Sequence, residues 1–182
     1  MEKIKKFSRV IRAASQIVFW GVVALMAVVF LMLILPKNVL LSFFGDNARL
    51  TILELDVPLS QLDVIPKTVV GMMLVFAFFP FLFGLHHFIR LFRLYEQGKI
   101  FSGENIAQFR IMGWVLILYF PLSVSIDILK FLLYAHLNQR MNIVLNFSSK
   151  NFGYLIVGVA VLLIARIMAE AKKLQDEQDL IL

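Results

Sequence analysis

The sequence predicts an all-α integral membrane protein. Four transmembrane helices place both termini on the cytoplasmic side, and the loops between spans 1 and 2 and between spans 3 and 4 form a small extracytoplasmic β element. Three observations carry that prediction: four long apolar runs, a one-sided distribution of cations, and strand-period alternation in the two long loops. Hydrophobic residues make up 60% of the 182-residue chain and charged residues 16%, against roughly 45–50% and about 25% in soluble domains. The excess is concentrated in residues 16–35, 68–85, 111–126 and 152–165. A bilayer core roughly 30 Å thick needs about 20 mostly apolar residues in a helix, and each run reaches that length with its flanks.

Span 1 covers residues 13–35. Ile4, Phe7, Val10, Ile11 and Ala14 recur at helical spacing among lysines and arginines, so the helix begins ahead of the membrane with an apolar face on the lipid. The basic leader resembles a secretory signal, but its apolar stretch is too long and ends in "LPKN" without a small-x-small cleavage site, so it is expected to stay attached. Pro36 ends the span. The 36–65 loop carries "GDNA" turn chemistry at 45–48 and then "LTILELDVPL". There Leu53, Leu55 and Val57 alternate with Glu54 and Asp56. Span 2 occupies 66–97, with Pro66 in its first turn. Its "HHFIRLFRLYEQ" end runs beyond the hydrocarbon.

The connection between spans 2 and 3, residues 98–102, is closely punctuated. Gly98 suits the left-handed residue that closes a helix. Ser102 is an N-cap, Glu104 lies at the positive end of the next helix dipole, and Phe101 with Ile106 forms a hydrophobic staple. A rigid hairpin is expected. Span 3 covers 103–132 and span 4 covers 152–174. In the 133–151 loop between them, Ile143, Leu145 and Phe147 alternate with Asn142, Val144 and Asn146. Pairing this segment with the strand of the first loop would bury both apolar sides and satisfy both backbones.

The charge pattern sets the expected orientation. Lys3, Lys5, Lys6, Arg9 and Arg12 precede span 1; Arg90, Arg93, Lys99 and Arg110 flank the hairpin; Arg166, Lys172 and Lys173 follow span 4. The remaining cations, Lys37, Arg49, Lys67, Lys130, Arg140 and Lys150, lie in or beside the two long loops, and the first loop also holds Asp46, Glu54, Asp56 and Asp63. Cations near span ends mark the cytoplasmic side. The net charge of +6 is therefore a topology signal and an attraction for anionic lipid, with no direct nucleic-acid binding expected. Cysteine is absent, which excludes disulfides, thiol nucleophiles and thiolate metal sites.

The hairpin resembles the bacterial membrane family catalogued as domain of unknown function 2975. Gly98, Ile100, Phe101, Ser102, Asn105 and Gly113 carry the resemblance, after a helix ending "LYEQ". It implies a small multi-pass protein of the bacterial cytoplasmic membrane. It further implies a gene setting beside a small helix-turn-helix transcriptional regulator, and it supplies no catalytic residue, cofactor or metal.

Candidate chemistry is sparse. His86 and His87 stand where span 2 leaves the membrane, but adjacent helical residues point about 100° apart and no further ligands accompany them, so they read as interface histidines. Asp127 is an acid within span 3, a default functional position, yet Lys130 at i+3 can pair with it. Pro80 and Pro121 free the carbonyls of Phe76 and Ile117, as gates and ordinary membrane helices both do. No phosphate loop, Ser-His-Asp grouping, paired carboxylates or polar cluster at depth is expected. Two functional classes stay open: a non-catalytic regulatory or interaction module working with a small cytoplasmic partner, or a small transporter, channel or lipid-handling protein using the proline-bearing helices. An immunity or defence protein is a variant of the first.

Overall fold

The computed structural model describes residues 2–45, 47–53, 55–99, 102–137 and 149–179. Helices α1 (Glu2–Ile34), α3 (Val64–Glu96), α4 (Gly103–His136) and α5 (Ser149–Asp179) carry the four apolar runs, and the short helix α2 (Lys37–Phe44) follows α1. The four long helices have 33, 33, 34 and 31 residues, or roughly 45–50 Å at 1.5 Å per residue. All four are long and apolar enough to cross a membrane, as a multi-pass membrane protein requires. Large side chains such as Trp20, Phe79, Leu118, Ile156 and Leu163 stay exposed on them. In water that surface would be untenable; in lipid it is the solvated face.

The chain forms two compact units, one comprising residues 22–78 and 122–146 and the other residues 1–21, 79–121 and 147–182. The first unit is built around the long connection after α1. Pro36 lacks the N–H that would continue α1, and with φ −59° it starts α2, which closes at Gly45 with φ +87°. A β-hairpin follows: β1 (Arg49–Ile52) pairs antiparallel with β2 (Leu55–Pro58) in the register Leu50↔Val57 and Thr51↔Asp56. The alternation expected at Leu55 and Val57 is present, both being 0% exposed. They pack with Leu59, Leu62, Val70, Leu74 and Leu133 into the unit's core.

One expectation for the β element needs correction. Among the described residues its two strands both come from the first loop; the second alternating segment, Asn142–Phe147, and with it the expected pairing to the first, lies outside the described residues. Leu53 belongs to the turn between the strands, at φ +51°, so the run Leu53, Leu55, Val57 is not one continuous strand. Its side chain still packs against the core, an apolar contact that offsets the left-handed backbone. Arg49 Nε donates to Asp56 Oδ1 at 2.7 Å, and this hydrogen bond raises the Arg49 pKa above its ordinary value. The Asp56 N–H donates to the Tyr134 hydroxyl at 3.0 Å, fastening the hairpin to α4.

Helix ends differ slightly from the sequence reading. α3 begins at Val64, with Pro66 still in its first turn, and α4 and α5 extend a few residues beyond the expected spans. Pro80 and Pro121 lie inside continuous helices.

Candidate functional site

The second unit holds the α3–α4 connection, and its chemistry starts from two helix ends. At the close of α3, Gly98 takes φ +78°. The Gly98 N–H donates to the Tyr95 carbonyl and the Lys99 N–H to the Leu94 carbonyl, both at 3.0 Å. That is a Schellman closure, the arrangement for which glycine is favoured because it carries no Cβ. At the start of α4, the Asn105 N–H donates to Ser102 Oγ at 3.2 Å, and the Ile106 N–H donates to the Ser102 carbonyl at 3.1 Å. Ser102 therefore caps the helix as its position implied, with Glu104 in the first turn. Ile106 is buried; its expected staple partner, Phe101, lies outside the described residues with Ile100.

A carboxylate at the end of a helix faces the negative pole of its dipole, so Glu96 needs compensation. Arg12 supplies it, its Nε lying 3.2 Å from Glu96 Oε2, with Arg9 Nε at 4.0 Å from the same carboxylate. The Glu96 and Arg12 side chains are only 17% and 27% exposed, so this contact is more than a surface pair. It ties α1 to the end of α3. Sequence reasoning counted both arginines as topology markers and passed over Glu96; the signal available was an acid in the last turn of a helix.

A buried polar contact lies nearby. His87 is 9% exposed and Gln108 5%, with His87 Nδ1 2.6 Å from Gln108 Oε1. Asn105, one turn from Gln108, is wholly buried, and Ser8 and Ser15 of α1 are buried as well. His87, expected where span 2 leaves the membrane, is thus covered by its neighbours while His86 is exposed, and its contact with Gln108 satisfies two polar groups that burial would otherwise penalise. Asp127 and Lys130, in the other unit, form the anticipated i,i+3 pair at 3.2 Å.

The α4–α5 contact is set by two glycines. A Cβ on Gly158 would lie 2.8 Å from Ile117 Cγ1 and 3.0 Å from the Gly113 carbonyl oxygen, and one on Gly113 would lie 2.7 Å from Leu162 Cδ2. Small residues let membrane helices approach this closely. Toward the hairpin a cleft of about 400 Å³ opens, lined by Arg110 and Trp114 of α4 and by Leu162, Ala165, Arg166 and Glu170 of α5. The expected partner-facing cations therefore divide. Arg110 belongs to this cleft, whereas Arg90, Arg93 and Lys99 are exposed beside the connection. Among the described residues none of these three makes a salt bridge, while Arg9 and Arg12 are committed to Glu96.

Comparison with known protein families matches residues 46–182 to the family described as "Protein of unknown function (DUF2975)". No curated protein and no solved structure matches the chain.

Proposed function

The chain belongs to the DUF2975 family, whose description assigns no activity, and from its own surface we propose that it is a non-catalytic docking module of the bacterial cytoplasmic membrane. Both termini and the α3–α4 connection face the cytoplasm in this reading, and the connection binds a small cytosolic protein through an acidic patch. The observation that carries it is the contrast in charge: Arg90, Arg93 and Lys99 are exposed outside any salt bridge among the described residues, on a backbone closed at Gly98 and capped at Ser102. A surface already held in shape loses little freedom on binding, and fixed cations give orientation and association rate. The orientation is supported by the cations that gather at the termini and the connection. A small helix-turn-helix regulator is the partner class that the family resemblance raised, and a cytosolic protein of that kind can reach only this side.

The test is purification in mild detergent from the native host, with identification of what accompanies the protein. Arg93→Glu with Lys99→Glu should release a bound partner while the thermal unfolding midpoint holds. Recovery of no protein partner, together with solute flux in reconstituted vesicles that depends on Asp127, would turn the reading to transport by the proline-bearing helices.

A further inference from the structure

The cleft between α4 and α5 has features that docking a cytosolic protein does not use. Arg110 immediately precedes the apolar run 111–126, and Arg166 immediately follows the run 152–165. The two guanidiniums thus stand at the same membrane boundary, on neighbouring helices, lining one cleft. Both are exposed, and neither makes a salt bridge among the described residues. Trp114 is 52% exposed at the same level, where an indole favours the headgroup region. The wall below is apolar, formed by Leu162 and Ala165, and it leads to exposed Leu118, Val159 and Leu163.

We infer that this cleft binds the headgroup of a monoanionic phospholipid from the leaflet on the hairpin side. Its phosphate meets Arg110 and Arg166, its acyl chain lies along the Leu162–Ala165 wall, and Trp114 packs beside the glycerol. The charge balance selects the lipid. Two guanidiniums and the Glu170 carboxylate leave one positive charge, which a lipid of net charge −1 neutralises; a zwitterionic lipid carries the same phosphodiester, but its ammonium group cancels that charge and leaves the site's excess uncompensated. Guanidinium forks suit phosphate oxygens better than ammonium groups do, and Glu170 can accept from a headgroup hydroxyl. A phosphatidylglycerol-type lipid meets all three requirements. Basic pockets between membrane helices recur as sites for anionic headgroups, and here the Gly113–Gly158 contact fixes the spacing of the two helices that form the pocket.

The experiment is native mass spectrometry of the full chain in detergent micelles doped with equal amounts of phosphatidylglycerol and phosphatidylethanolamine. One phosphatidylglycerol should remain bound, preferred by about tenfold, the worth of one charge-assisted hydrogen bond. Arg110→Gln with Arg166→Gln should bring the two lipids to parity, with the thermal midpoint in detergent serving as the check on folding. Arg110→Lys with Arg166→Lys keeps the charge, and should retain an intermediate preference. Millimolar inorganic phosphate should not displace the lipid. Parity in the unmodified protein, an undiminished preference in the folded glutamine variant, or displacement by phosphate alone would each overturn the assignment.

Discussion

Gly158→Ala tests whether the α4–α5 contact is as close as the backbone implies. The added methyl would meet the Gly113 carbonyl oxygen at 3.0 Å, the Ile117 nitrogen at 3.1 Å and Ile117 Cγ1 at 2.8 Å. Two of those three neighbours are backbone, so no rotamer change relieves them and the helices must separate. A gap of about 0.5–1 Å forfeits a quarter to a half of each dispersion contact along the seam, and overpacking of this kind costs about 1–3 kcal/mol. Alanine also gains helix propensity over glycine, which would mask part of the loss. Gly153→Ala, on the same helix with nothing within 4 Å of its Cβ, carries the same propensity gain and no clash. The quantity to measure is therefore the difference between the two variants, from reversible denaturation in detergent followed by far-ultraviolet circular dichroism. Gly158→Ala should be less stable than Gly153→Ala by about 1–3 kcal/mol. Adding Ile117→Ala should restore only part of it, because the backbone contacts remain. Equal stability of the two alanine variants would refute the close approach.

Other outcomes follow from the same geometry. Gly98→Val should destabilise by about 1–2 kcal/mol because the site is left-handed, and Ser102→Ala by about 0.5–2 kcal/mol, with Ser102→Asp tolerated as an equivalent cap; unfolding midpoints of the three variants check this, and an unaffected Gly98→Val protein would contradict it. Glu96→Gln should cost about 1–2 kcal/mol, less than a fully buried pair because both partners keep some solvent contact, and an unchanged midpoint would show the α1–α3 tie to be inert. For orientation, an impermeant maleimide applied to intact cells should label Asn47→Cys and spare Gly103→Cys, and the reverse pattern would invert the topology.

What the sequence made legible was local. The Schellman closure at Gly98 and the cap at Ser102 depend on groups within five residues of one another, so residue type and spacing determine them. The four spans follow from composition and length, and the Asp127–Lys130 pair from helical spacing. The β-hairpin was half legible: alternation located Leu55 and Val57 on the buried side, but no glycine or asparagine marks the turn at Leu53, and a strand continuing through it fitted the pattern equally well. The pairs that escaped, Arg12 with Glu96, His87 with Gln108 and Gly113 with Gly158, join residues far apart in the chain. Their partners are chosen by helix packing, which periodicity alone does not specify. Each left a faint mark: an acid at a helix C-terminus, a histidine and a glutamine in apolar surroundings, and glycines within two membrane runs.

The docking role of the α3–α4 connection is tested most directly by site-specific photo-crosslinking in living cells of the native host. A photoreactive amino acid replaces Gln97, exposed beside Gly98, and in a parallel strain Leu163, exposed on the apolar surface of α5. Position 97 should yield one discrete protein adduct that disappears when Arg93→Glu and Lys99→Glu are combined with it, and position 163 should yield none. Lipid adducts alone at position 97, or a protein adduct there that persists after charge reversal, would contradict a basic docking surface at this connection.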